Sequence, residues 1–127
     1  MRNKYHNRQV YLPNGEKVDS IRELTRYNQL LILEKAGKIT NLRRQVKYIL
    51  VPAQYQEYAR HSAKTGKALK SGRKLLEREC AYIADFVYFD CALGKEVVED
   101  TKGVRTPDYI IKRKLMLWVH GIRVCEV

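Results

Sequence analysis

The stretch 82–103 limits the folds open to this chain more than any other. It reads Y-I-A-D-F-V-Y-F-D-C-A-L-G-K-E-V-V-E-D-T-K-G: two apolar, β-branched and aromatic runs around a short break at 91–95. That is the pattern of a β-hairpin with a longish loop. Side chains alternate across a strand, so Val98, Asp100 and Lys102 share one face, and Glu99 and Thr101 take the other. Pairing the two runs sets Asp85 beside Asp100 and Lys102. Two carboxylates and an amine on neighbouring strands are expensive to bury. A hydrophobic strand carries such a cluster most readily where a metal ion and a substrate complete it.

Length and charge narrow the context. A chain of 127 residues suggests one domain with one core. At 45% hydrophobic and 31% charged, the composition is that of a soluble globular protein rather than a disordered one. The longest apolar runs are too short to cross a bilayer. Polar residues follow Met1, with no apolar signal core, so the expectation is a cytoplasmic protein. Cys80, Cys91 and Cys125 are odd in number and widely spaced, like neither a disulfide framework nor a zinc site. The net charge of +11 favours a polyanionic partner, nucleic acid first. Against a membrane partner, no expected helix joins a basic face to a broad apolar one.

Along the chain, residues 1–8 form a basic arm with Arg2, Lys4 and Arg8. Pro13-Asn14-Gly15 is a turn signal, and 9–12 with 17–18 predict a small hairpin around it. Ser20 followed by Glu23 fits a capping box, so a helix starts there and ends at Gly37. Its apolar stripe is Leu24, Tyr27, Leu30, Leu31 and Ile32, with Arg22, Arg26 and Lys35 toward solvent. Residues 44–51 predict a strand stopped by Pro52. From 53 to 74 the pattern dissolves into a basic loop insertion holding Arg60, Lys64, Lys67, Lys70, Arg73 and Lys74 against Glu57; a short helix at 54–62 is an option. A second main strand lies within 75–90 and a third at 96–102. Thr106-Pro107-Asp108 starts a helix over 107–119, with Ile111, Leu115 and Trp118 on one side and Lys112, Arg113 and Lys114 in one basic turn. Gly121 fits its C-terminal cap, and 122–127 alternates as a last strand. A helix of this length suits a crossover, which would make the third and fourth main strands parallel neighbours.

Phosphodiester cleavage suits the Asp85, Asp100, Lys102 cluster. It needs a deprotonated water and relief of negative charge, and a hard divalent cation addresses both. Magnesium takes one or two carboxylates and keeps several waters. Asp85 and Asp100 supply the carboxylates, Thr101 a backbone carbonyl, and Lys102 a cation for the phosphate or the nucleophile.

At this point the chain resembles a known superfamily. Asp85, a spacer of fourteen residues, then Asp100-Thr101-Lys102 is similar to the D-(X)n-(D/E)-X-K signature of the PD-(D/E)XK nucleases. The helix, three strands, helix, strand order matches their core. Glu23 falls where many members carry an acid on the first core helix. Ala84 stands in place of the superfamily's proline, and Asp100 in place of the commoner Glu. The stretches K-Y-H-N at 4–7, D-S-I-R-E-L at 19–24, L-E-K-A-G-K-I at 33–39, Y-I-A-D-F-V-Y at 82–88 and V-V-E-D-T-K-G at 97–103 look closer to a small phage-borne domain family of unknown function within it. Transposon-end nucleases and Holliday junction resolvases are more distantly similar.

The resemblance implies an α/β, restriction-endonuclease-like mixed sheet flanked by helices, with an N-terminal hairpin. It implies a Mg2+-dependent DNA endonuclease (Mn2+ substituting) of phage or prophage origin, working in the bacterial cytoplasm in DNA processing, recombination or junction resolution. The site residues would be Glu23, Asp85, Asp100 and Lys102, with metal on Asp85, Asp100 and Thr101. Duplex or branched DNA would lie on Lys64, Lys67, Lys70, Arg73, Lys74, Lys112 and Lys114. A homodimer would supply two sites for cutting both strands. Gln45 is a further contact from the neighbouring strand. Two other classes stand beside this one: a non-catalytic DNA-binding protein on a nuclease-derived fold, and an RNA-binding accessory protein.

Overall fold

Local sequence rules account for most of the elements. In the computed structural model, which describes residues 10–11, 17–18 and 20–127, the order is β1 (Val10–Tyr11), β2 (Lys17–Val18), α1 (Ile21–Lys35), β3 (Ile39–Val51), β4 (Gln54–His61), β5 (Ala68–Glu77), β6 (Cys80–Asp90), β7 (Lys95–Asp100), α2 (Pro107–His120) and β8 (Cys125–Glu126). The basic arm at 1–8 and the turn at 13–15 lie outside the described residues. The expected N-terminal hairpin is present as the antiparallel pair β1–β2.

Helix boundaries follow their caps. Ser20 is extended, and its Oγ accepts from the Glu23 N–H at 3.1 Å. Gly37, at φ +75°, follows the last turn of α1. Thr106 Oγ1 accepts from the Tyr109 N–H at the start of α2, where Pro107 sacrifices no intrahelical bond. Gly121 closes α2 in the left-handed region that an L side chain would resist.

The chain divides into two compact units: 1–48 with 82–127, and 49–81. The first is built on the sheet β3-β6-β7-β8. β6 and β7 pair antiparallel through Phe86↔Glu99, Val87↔Val98 and Tyr88↔Val97. Their turn is pinned by Asp90, whose Oδ1 accepts from Leu93 N and whose carbonyl accepts from Gly94 N. β8 lies parallel to β7, with Glu99↔Cys125 and Asp100↔Glu126, so α2 is the crossover the sequence predicts. Cys91 N donates to Lys38 O at 3.1 Å, which puts the end of β6 at the start of β3, as in an antiparallel pair. The result is a mixed α/β unit. α1 lays Tyr27, Leu30 and Leu33 against Ile39, Phe86, Tyr88 and Val97.

Several expectations need correction. The 53–74 segment is neither loop nor helix: β4 and β5 pair antiparallel as a separate two-stranded ribbon. Its side chains are exposed on both faces, so the in–out alternation that marks a half-buried strand is missing. On α1, Leu31 and Ile32 are exposed and Leu33 packs instead. On α2, Ile111 and Trp118 are exposed, while Tyr109 and Met116, seven residues apart, form the buried line. β3 starts five residues earlier than expected, because Asn41 and Gln45 interrupt its pattern with left-handed backbone at φ 55° and 53°.

Candidate active site

β6 and β7 bring the two aspartates together. The ladder step Phe86↔Glu99, carried on by one residue, sets Asp85 level with Asp100. Directly opposite residues of an antiparallel pair are close neighbours. Asp85 Oδ2 accepts from Thr101 N at 2.9 Å and from Thr101 Oγ1 at 2.8 Å. Asp100 is buried, and its Oδ2 accepts from the Tyr82 hydroxyl at 2.5 Å. Lys102 Nζ lies 3.1 Å from Asp100 Oδ1 but off the line of a hydrogen bond, so this buried oxygen has an ion partner and no aligned donor. The same ammonium sits 4.1 Å from the centre of the Tyr109 ring. Asp100 and Lys102 thus meet as alternation requires.

Glu23 reaches the same neighbourhood from α1. It is buried, and its Oε1 accepts from Gln45 Nε2 at 3.0 Å, with Arg44 Nη2 at 3.6 Å. Gln45 Nε2 also lies 3.4 Å from Asp85 Oδ1. One amide therefore bridges two carboxylates, and it does so from a left-handed backbone that costs a non-glycine residue about 1–2 kcal/mol. An observed outlier at such a bridge points to function.

Burial sets the electrostatics. It pushes the Asp100 carboxyl up from 3.8 to about 6, with the Asp85 charge adding to the rise and Tyr82 and Lys102 opposing it. Burial, then the bond to Asp100, raises the Tyr82 hydroxyl far above its ordinary value. Tyr82 is the site residue that sequence reasoning missed. It lies three residues before Asp85 in an apolar run, where a tyrosine reads as core. Glu99 points away from the cluster, as expected, yet it is fully buried. Arg26 Nε and Nη2 hold its two oxygens at 2.7 Å each, and the Tyr88 hydroxyl donates to it as well. Arg26, expected in solvent, is instead half-buried by this pair.

Asp85, Asp100 and the Thr101 carbonyl are hard oxygen donors of the kind magnesium takes. A buried carboxylate oxygen without an aligned donor, beside a second carboxylate, fits a divalent cation that brings its own waters. Among the described residues no group of three or more His, Cys, Asp or Glu side chains is arranged to hold a metal, so the fit is to a two-carboxylate site. All three cysteines are free thiols.

The expected DNA contacts fall into two sets. Lys64 and Lys67 sit in the β4–β5 turn, and Lys70, Arg73 and Lys74 lie on β5. Lys112 and Lys114 lie on α2, where Lys114 joins Arg105, Arg113 and Arg123 around a cavity of about 650 Å³. Arg105 and Arg113 there share Glu126. No helix among the described residues is long and apolar enough to cross a membrane.

No curated protein and no solved structure matches the chain. A family model does, over residues 2–120, and its description names neither an activity nor the PD-(D/E)XK superfamily. The match spans nearly the whole chain, which therefore belongs to the family described as "Protein of unknown function (DUF1064)".

Proposed function

We propose that the chain is a metal-dependent DNA endonuclease on a restriction-endonuclease-like, PD-(D/E)XK-type core. The observation that carries this reading is Asp100: buried, level with Asp85, and joined to Lys102 two residues on. Mg2+ held by Asp85, Asp100 and the Thr101 carbonyl would polarise the phosphoryl group and lower the pKa of a bound water. The chain's own groups do the rest. Thr101 fixes Asp85 through two hydrogen bonds, and Tyr82 fixes Asp100 through one. Lys102, steadied between Asp100 and the Tyr109 ring, supplies a positive charge where the phosphate becomes more negative. Gln45 keeps Glu23 and Asp85 in register across α1, β3 and β6. The +11 charge suits a duplex or branched DNA substrate, and two copies would cut both strands.

The test is single-turnover cleavage of supercoiled and branched DNA with Mg2+, beside binding in Ca2+. Asp100→Asn should bind DNA as well as wild type and cut at least about 10²-fold more slowly; cutting at the wild-type rate rejects the site. Lys102→Ala should lose about 10²–10³-fold in rate while keeping metal affinity, as for other groups that stabilise developing charge. One observation favours a second reading, a DNA-binding protein without cleavage. The cluster satisfies much of itself, Asp85 through Thr101 and Asp100 through Tyr82 and Lys102. Binding without any metal-dependent cleavage of any DNA form would decide for it.

A further inference from the structure

We propose that the β4–β5 ribbon reads duplex DNA by entering the major groove with the face that carries Gln56, Tyr58, Arg60 and Lys74. The inference rests on DNA as partner in the reading above, and it stands apart from cleavage.

An isolated two-stranded ribbon is marginal in water and needs a surface to lie on. Here every residue of β4 is exposed, and so is all of β5 save Gly72. The ribbon's side chains are therefore not spent on packing. Between 54 and 77 there are six Lys or Arg and two acids, Glu57 and Glu77, so the complementary surface is anionic. Two strands about 4.8 Å apart with their side chains match a groove about 12 Å wide, which admits such a ribbon.

The register separates two unlike faces. Gln56↔Lys74, Tyr58↔Gly72 and, past a register shift that puts one extra residue on β5, Arg60↔Leu69 are opposite pairs on one face. Its one acid is Glu77, at the base of the ribbon opposite Gln54. Tyr55↔Leu75 and Glu57↔Arg73 form the other, where the Arg73 guanidinium already stacks 3.9 Å from the Tyr55 ring centre. On the first face the Tyr58 ring lies over Gly72: a Cβ there would meet Tyr58 Cζ at 2.4 Å. The tyrosine is thus laid flat on its own ribbon, which leaves the Gln56 amide, the Arg60 guanidinium and the Lys74 ammonium as the reaching groups. Glutamine pairs with adenine N6 and N7, and arginine or lysine with guanine O6 and N7, on the major-groove edge.

The remaining features agree with groove entry. A register shift between Tyr58 and Arg60 adds local twist. The turn is firmly built: Ser62 N donates to Lys67 O and Gly66 N to Ser62 O, both at 2.9 Å, with Gly66 at φ +67°. It holds Lys64 and Lys67 at the ribbon's tip, where they would meet phosphates and set register rather than sequence.

The test uses Asp100→Asn protein without Mg2+, so that no cutting intervenes, against a short duplex and the matching single strand. Circular dichroism checks the fold of each variant. Arg60→Ala/Lys74→Ala should weaken duplex binding by about 10–100-fold, with a smaller effect on the single strand. Gly72→Ala, which lifts the Tyr58 ring while leaving every charge, should weaken duplex binding several-fold. Wild-type protein should protect guanine N7 from methylation, and the double variant should not. Unchanged duplex affinity, equal loss on both strand forms, or protection of adenine N3 in the minor groove instead would overturn the proposal. So would a stable dimer that Leu75→Ser dissociates together with DNA binding, since a second copy would then cover the ribbon. The two readings fail separately. Guanine N7 protection with no metal-dependent cut by the Asp100 protein removes the nuclease. Cleavage that is indifferent to Arg60 and Lys74, with unchanged N7 reactivity, removes the ribbon reader.

Discussion

Asp100 carries its charge at a cost. Its folded pKa of about 6 lies above the ordinary 3.8, raised by burial first and by Asp85 second. A carboxyl raised on folding stabilises the chain below the ordinary value, and that contribution disappears as pH rises through about 6. By pH 8 the loss is roughly 3 kcal/mol. Thermal melts without divalent ions should therefore show Asp100→Asn gaining on wild type between pH 5 and pH 8. Mg2+ should raise the wild-type Tm most at the upper end of that range and leave Asp100→Asn nearly unmoved. A difference between the two proteins that ignores pH would mean that Asp100 keeps an ordinary pKa. Gln45 offers a second residue-scale test. Gln45→Gly removes both the left-handed strain and the amide that bridges Glu23 to Asp85. The variant should be as stable as wild type or about 1 kcal/mol more so, yet cleave more slowly. A purely structural Gln45 would give no change in rate at equal stability.

At the scale of elements, α1 is tied to the sheet by one buried ion pair as well as by apolar contact. Removing Arg26 leaves the buried Glu99 carboxylate with the Tyr88 hydroxyl but without its cation, a change that typically costs about 3–5 kcal/mol. Arg26→Met should fall in that range by urea denaturation, and Arg26→Met/Glu99→Met should recover much of it because no charge is left stranded. The pair also shows where reading the sequence stops. The β6–β7 hairpin, both helix starts and the α2 crossover were legible, because turn residues, caps and alternation act within a few positions. Asp85, Asp100 and Lys102 were legible for the same reason: the spacing that pairs the strands also gathers the acids. Arg26 with Glu99 lies across 73 residues, and a lone arginine on a helix reads as solvated. Tyr82 was hidden because its ring suits a core and only its hydroxyl serves the site. The ribbon was hidden because strands exposed on both faces lack the alternation by which strands are found.

The whole molecule separates into a unit bearing the acids and a unit bearing the exposed ribbon, and their chemistry is separable in the same way. All of Tyr82, Asp85, Asp100, Thr101 and Lys102, with Glu23 and Gln45, falls in the first unit; Lys64, Lys67, Lys70, Arg73 and Lys74 fall in the second. Gln54 and Glu77 are partners at the base of the ribbon, so its two ends are close neighbours. Replacing 54–77 with Asn-Gly spans them with a two-residue hairpin turn. The shortened chain loses six of its 25 Lys and Arg, and its DNA affinity should fall and depend less steeply on salt, because fewer condensed counterions are released. The metal-dependent step should survive. At protein concentrations high enough to saturate the DNA, single-turnover cleavage should stay within about tenfold of the full chain, a window of about 1.4 kcal/mol in the barrier. Rates at saturation that fall as far as those of Asp100→Asn would show that the ribbon takes part in the chemistry itself, and the division of labour between the two units would have to be abandoned.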